Sequence, residues 1–291
     1  MPQLRELDLS HNLLLTVSPQ VLGSLPPSLS VLDLTENPWQ CLSSLAWLYS
    51  WSLALASPVQ AQLRSPQLTC QVANSHQTAP LLAVVENYSR LVGPLCPSPC
   101  DCQFFHFAVP QQSQPGTASQ PAYTVIVNCS GQGLSVFPAL PAHTVVLDLS
   151  HNNITNAAYS GLDIHGQNYQ EVAALFLSYN NLTSVHSKLL SLKPYRGFTV
   201  DHNQISLISY DLSQLLQSFQ DNEIRLGGNR WRCECEAEIT NTVSPSGVRA
   251  TPNISVCVQN LLSKLADVES LYCSSDSKPE KLVGLKVKKE K

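Results

Sequence analysis

The sequence predicts an α/β solenoid, with short parallel strands along the concave face of a stack of coils, arranged in two blocks. Two observations predict the coils and their closure. The pattern L-x-x-L-x-L-x-x-N-x-L recurs along the chain, its asparagines 23 to 28 residues apart within each block. Ten cysteines, grouped in clusters such as Cys96-Cys100-Cys102 and Cys233-Cys235, fall between and after the blocks. A third observation concerns the compartment: five N-x-S/T sequons, at Asn87, Asn128, Asn153, Asn181 and Asn253, accompany the cysteines.

The repeats come first. Leu4-Leu7-Leu9-Asn12 and Leu29-Leu32-Leu34-Asn37 form one block. Leu147-Leu149-Asn152-Ile154, Val172-Leu175-Leu177-Asn180-Leu182, Phe198-Val200-Asn203-Ile205 and Ile224-Leu226-Asn229 form another. Such a period marks leucine-rich repeats. The L-x-L step is a short strand whose apolar residues point into the coil while the residues between them face out. The asparagine turns the chain, and its amide can bond backbone groups that the turn leaves unpaired. Each coil buries its apolar face only against its neighbours, so the ends of the stack need closing.

Composition narrows the function. The net charge is -4 and 13% of residues are charged, which is no footprint for a nucleic-acid partner. The one basic run, Lys286 to Lys291, reads as a solvated tail. The cysteine doublets are C-x-C, whereas ribbon-type zinc sites use C-x-x-C knuckles. Sequons beside many cysteines favour an oxidising, glycosylating compartment. No apolar stretch reaches the roughly 18 residues of a membrane helix. The nearest, Leu42 to Ala56, reads as an amphipathic helix packed on a core. Met1 leads directly into a repeat whose Leu4, Leu7 and Leu9 need a covering neighbour, so the chain is expected to be part of a longer protein.

Next come the closures. Asn37-Pro38-Trp39-Gln40-Cys41 opens one, with Trp39 expected to cover the last coil and Ser43 to Leu55 to form a short helix. Cys96-Pro97-Ser98-Pro99-Cys100-Asp101-Cys102, followed by Cys129 and Phe137-Pro138-Ala139-Leu140-Pro141, stands between the blocks. Asn229-Arg230-Trp231-Arg232-Cys233-Glu234-Cys235 opens the last, with Cys257 and Cys273 downstream. The first and third resemble the C-terminal leucine-rich-repeat cap, and the second resembles the N-terminal cap. The resemblance implies the bridges Cys233–Cys257 and Cys235–Cys273 in the last cap, and Cys96–Cys102 and Cys100–Cys129 in the middle one. In the first cap a serine, Ser43, stands where the family has its second cysteine, and only Cys41–Cys70 is implied. Ten cysteines then divide into two, four and four. The organisation expected is 1–37 as the end of a first repeat block, 38–95 as a C-terminal cap, and 96–141 as an N-terminal cap with a loop insertion at 109–121. After these come 142–229 as a second repeat block, 230–275 as a second C-terminal cap with disulfide-bonded closure, and 276–291 as a basic tail.

This order of repeats, cap, cap, repeats and cap, together with the run Ile224 to Ile239 (IRLGGNRWRCECEAEI), resembles the ectodomain of arthropod Toll receptors. The resemblance implies an extracellular, cell-surface receptor segment in innate immune or developmental signalling. Its partner would be a cystine-knot cytokine of the Spätzle type, or a second receptor copy in a homodimer. Contact with a membrane is expected only through segments outside this chain. A Slit-like guidance or adhesion protein, or a soluble decoy fragment of a receptor, is the alternative.

Enzyme chemistry finds no support. There is no G-x-S-x-G elbow and no H-E-x-x-H. No glycine-rich phosphate loop is present either, and no cofactor or metal is expected. Glu234 and Glu236 read as solvated. His11, His151 and His202 each precede a repeat asparagine and read as exposed residues at the strand end, where they could sense pH near neutrality. A protein-binding face is expected on the outward strand positions: Asp148, His151, Phe176, Tyr179, Thr199, Asp201, His202 and Arg225. Phe176 and Tyr179 are its expected anchors, since aromatics often dominate interface energy. Glycans at Asn153 and Asn181 would mask one edge.

Overall fold

A computed structural model describes residues 3–26, 28–72, 77–107, 123–190, 196–206, 212, 223–230, 272–275 and 278–281. The expected insertion at 109–121, Trp231, Cys233, Cys235, Cys257, Asn253 and Lys286 to Lys291 lie outside the described residues. The chain forms two units. One is Met1–Val127 with Leu140–Thr144, and the other is Asn128–Ala139 with Val145–Lys291.

In the first unit β1 (Glu6–Asp8) pairs in parallel with β2 (Val31–Asp33), Leu7 opposite Leu32 and Asp8 opposite Asp33. The alternation L-x-L makes each strand three residues long, with Leu32 and Leu34 buried. Between the strands the short helix α1 (Pro19–Leu22) starts on a proline, whose fixed φ suits a first turn, and buries Leu22. Trp39 is buried, and its Nε1 donates to Leu34 O at 2.8 Å. The indole thereby covers the end of the last coil and satisfies a carbonyl there.

The helix expected over Ser43 to Leu55 forms, beginning as a 3-10 turn. A 3-10 turn, Ser43–Leu45, leads into α2 (Trp47–Leu53), and Ala56 at φ -60, ψ 146 breaks the run before α3 (Ser57–Leu63). Pro58 explains the break, because a proline suits the start of a new helix and not the middle of an old one. The antiparallel pair β3 (Thr69–Gln71) and β4 (Thr78–Pro80) follows, and Cys70 on β3 is bonded to Cys41. Next come α4 (Leu81–Asn87) and a π turn at Tyr88–Val92. The strand β5 (Asp101–Phe107) lies beside β6 (Tyr123–Asn128), and Cys102 on β5 is bonded to Cys96. Phe104 is the centre of this part, with Tyr88, Phe107 and Tyr123 rings at 6.0, 5.2 and 5.5 Å. Burial pushes the Tyr88 phenol above its ordinary range, and the nearby Asp101 carboxylate adds to it.

The second unit is the regular one. Strands β7 (Thr144–Asp148), β8 (Ala174–Phe176), β9 (Gly197–Thr199) and β10 (Glu223–Arg225) run parallel. Register aligns Leu147, Leu175, Phe198 and Ile224, all buried. Behind them Leu149, Leu177, Val200 and Leu226 form a second buried row, and Ile154, Leu182 and Ile205 a third. Two of the coils return by a short helical turn, 3-10 at Asn156–Gly161 and α5 at Ser187–Leu190. Phe137 stacks on Tyr159 at 5.4 Å and meets Tyr169 edge-on at 6.3 Å, while the Tyr169 hydroxyl donates to Pro138 O at 2.9 Å. Burial raises both phenols well above their ordinary range, so they stay neutral donors.

Part of the expected tail is paired. Tyr272–Ser275 and Lys278–Lys281 form an antiparallel hairpin with Cys273 opposite Glu280.

Candidate protein-binding face

An asparagine ladder sets the geometry of the face. Asn180 Nδ2 lies 2.9 Å from Leu149 O of the preceding coil and 3.1 and 3.3 Å from Leu177 O and Ser178 O of its own. Its Oδ1 accepts from Ile154 N–H at 2.9 Å. Asn152, Asn203 and Asn229 repeat this arrangement, as does Asn37 in the first block. The chain must turn sharply just before each asparagine, and it does so by left-handed backbone at the residue in front. His151, Tyr179, His202 and Gly228 occupy that position in successive coils, and Gly131 holds the equivalent place before Gln132, with φ between +53 and +69.

This column carries the most distinctive chemistry of the described surface. The His151 and Tyr179 rings stack at 4.3 Å and 11°, and Tyr179 and His202 at 4.2 Å and 7°. A glycine bounds the three-ring stack at each end. A Cβ on Gly228 would come within 2.7 Å of the His202 ring, whereas one on Gly131 would meet nothing within 4 Å. Tyr179 remains 45% exposed. His151 and His202 are exposed turn residues just past the strand ends, each held face to face with Tyr179 by the coil spacing of parallel strands. His11 has the same backbone, φ +53, in the first block. A signal for the stack exists in the sequence, as His-Asn, Tyr-Asn and His-Asn at repeat spacing, but it reads as a ladder only once the left-handed turn is known.

Beside the stack runs the strand row Asp148, Phe176, Thr199 and Arg225. Arg225 is exposed and Phe176 half-buried, its ring leaning over Gly197, where a Cβ would come within 3.4 Å. Asp148 Oδ1 accepts from Ser150 N–H at 2.9 Å, and Asn128 makes the same bond to Ser130 N–H at 3.0 Å. Thr199 and Asp201, expected to be presented, are 4% and 7% exposed. The reason is a polar cluster: Ser178 Oγ lies 2.7 Å from Thr199 Oγ1 and donates to the Asp201 carboxylate. Asp201 Oδ2 lies 3.0 Å from His202 Nδ1, within hydrogen-bond distance. These buried groups position His202 and are not themselves a contact surface. Serine, aspartate and histidine meet here in the wrong order for a hydrolase. The serine bonds the carboxylate, and no imidazole nitrogen stands ready to take its proton. Among the described residues no group of three or more His, Cys, Asp or Glu could hold a metal ion.

Cys41 joins Cys70 and Cys96 joins Cys102, with S–S distances of 2.07 and 1.98 Å. Cys100 and Cys129 are also disulfide-bonded. Of the sequon asparagines, Asn128, Asn153 and Asn181 are exposed and Asn87 is half-buried.

A family model, Leucine Rich Repeat, matches residues 3–25. Among curated proteins the chain is 22% identical over 270 residues to Protein toll of Drosophila melanogaster, covering 87% of this chain and 22% of that protein. The chain is thus similar to a Toll protein over most of its length and has the leucine-rich-repeat fold. It is also 33% identical to Tsukushi of Gallus gallus over 87 residues, 29% of this chain and 23% of that protein. The leucine-rich-repeat chain thus spans less than a quarter of either relative. Two solved structures are similar. Both are of the Toll–Spatzle complex, described as a molecular hub in Drosophila development and innate immunity, the second in glycosylated form. They show 18% and 19% identity and TM-scores of 0.43 and 0.44, with 98% of this chain and 37% of that chain covered. A leucine-rich-repeat solenoid of this kind is a binding scaffold and not an enzyme. No described helix is long and apolar enough to cross a membrane.

Proposed function

We propose that this chain is a protein-binding segment of an extracellular Toll-like receptor that acts in immune or developmental signalling. Its partner is a protein ligand of the cystine-knot cytokine type or a second receptor copy. The observation that supports this most is the similarity to Protein toll across 87% of the chain. The contact falls on the strand face and ring stack of the second unit, with Phe176, Tyr179 and Arg225 as its exposed or half-exposed members. Cys100–Cys129, Cys233–Cys257 and Cys235–Cys273 complete the caps in this reading. The test is interferometry with the immobilised secreted chain and a cystine-knot cytokine of the Spätzle type, run beside Tyr179→Ala and Arg225→Glu. The expected result is saturable binding that each substitution weakens about tenfold or more, the scale of an interface anchor. No binding by the wild-type chain, or equal binding by all three, would overturn it.

A further inference from the structure

Folding makes the sequons unequal. In Asn153-Ile154-Thr155 and Asn181-Leu182-Thr183 the middle residue is fully buried, while the asparagine and threonine on either side are exposed. That alternation belongs to extended chain, where residues two apart share a side, and Thr155 has φ -117, ψ 172. Asn153 N–H donates to Leu134 O at 2.8 Å and Asn181 N–H to Ile154 O at 2.9 Å, and Gln204 N–H makes the same step to Leu182 O. The two asparagines therefore hold the same position in successive coils. Gln204 Nε2 donates to Asn181 Oδ1 at 3.2 Å, which keeps the oxygen on the protein side and turns Nδ2 toward solvent.

Asn87-Tyr88-Ser89 is built differently. Asn87 ends α4, its Nδ2 donates to Ala83 O at 2.8 Å, and the chain continues as the π turn. The Ser89 hydroxyl donates to Ala46 O at 3.3 Å. On helical backbone residues two apart point to different sides, so the serine cannot stand beside the asparagine.

We propose that Asn153 and Asn181 carry N-linked glycans side by side in one column, on the flank that follows the asparagine turn, and that Asn87 carries none. The proposal rests on the extracellular reading above. In the transfer Nδ2 bonds to the anomeric carbon of a lipid-linked oligosaccharide. The bond from that carbon to the lipid pyrophosphate breaks, and one amide proton leaves. The roots of the two glycans are separated by the spacing of adjacent strands, about 5 Å. They wall off one flank and leave the strand face and ring stack as the open approach for a partner.

The test is site occupancy. The full chain is secreted from a mammalian line behind an added signal sequence, then treated with an N-glycosidase in heavy-oxygen water. That treatment marks each occupied asparagine as heavy aspartate in a peptide map. The expected result is a mark on Asn153 and on Asn181 and none on Asn87. Correspondingly Asn153→Gln and Asn181→Gln each remove one glycan from the intact mass, and Asn87→Gln removes none. A mark on Asn87, or none on either of the other two, would overturn the proposal. Disulfides mapped in the same digest report separately on the compartment. Unbridged cysteines alongside the expected glycan pattern would count against the extracellular reading while supporting the site assignment.

Discussion

Asn180 is buried, and its amide serves two coils at once. Replacing it by alanine leaves the Ile154 N–H and the Leu149 carbonyl without their partner in a dry interior, so Asn180→Ala is expected to cost roughly 2–4 kcal/mol. Asn12, at the same repeat position, is exposed and bonds only Leu9 O and Ser10 O of its own coil, so Asn12→Ala is expected to cost about 0–1 kcal/mol. Urea midpoints of the two variants check the contrast. Glycines at the two ends of the ring stack differ in the same instructive way. Both have positive φ, but only Gly228 lies against a ring, so Gly228→Ala is expected to lose about 1–3 kcal/mol and to move the His202 ring resonances. Gly131→Ala, with open space around it, keeps those resonances in place. Asp163 supplies a pH effect. Its carboxylate is held below the ordinary range by the Gly166 N–H first, with the His165 N–H assisting. A depressed carboxylate contributes stability above its unfolded pKa, and that contribution is lost as pH falls through the folded value. Asp163→Asn is therefore expected to flatten the acid limb of a stability profile below about pH 4 and to leave neutral pH unchanged.

At the scale of elements, the repeats were legible because their signal is redundant. Leu147, Leu175, Phe198 and Ile224 each mark a strand, and register places them in one row. The caps were legible as cysteine groups and as Trp39, whose burial over Leu34 follows from a large ring at the end of a stack. Less legible were elements set by a few backbone torsions. The pair β3 and β4 is three residues per strand, too short for a period to show. The left-handed turn at Tyr179 goes against the usual preference for glycine or asparagine, and only the bonds of neighbouring coils enforce it. Alternation places Thr199 and Asp201 at the surface, and it cannot foresee that Ser178, Thr199 and Asp201 turn toward each other. The surviving bridge of the first cap should carry appreciable stability. Removing it with Cys41→Ser and Cys70→Ser together is expected to cost about 2–4 kcal/mol, read by thermal unfolding of the oxidised chain.

For the whole molecule, the account joins a binding scaffold to an oxidising compartment. The fold alone would serve many partners. The similarity to Protein toll and the bridges Cys41–Cys70 and Cys96–Cys102 support the extracellular receptor proposed above. The most direct measurement is the intact mass of the secreted, deglycosylated chain before and after reduction, with thiol alkylation in each state. The account expects no alkylation before reduction and all ten cysteines alkylated after it. Thiols that react before reduction, or zinc bound by unbridged cysteines, would contradict it, and the receptor reading would fall with the compartment.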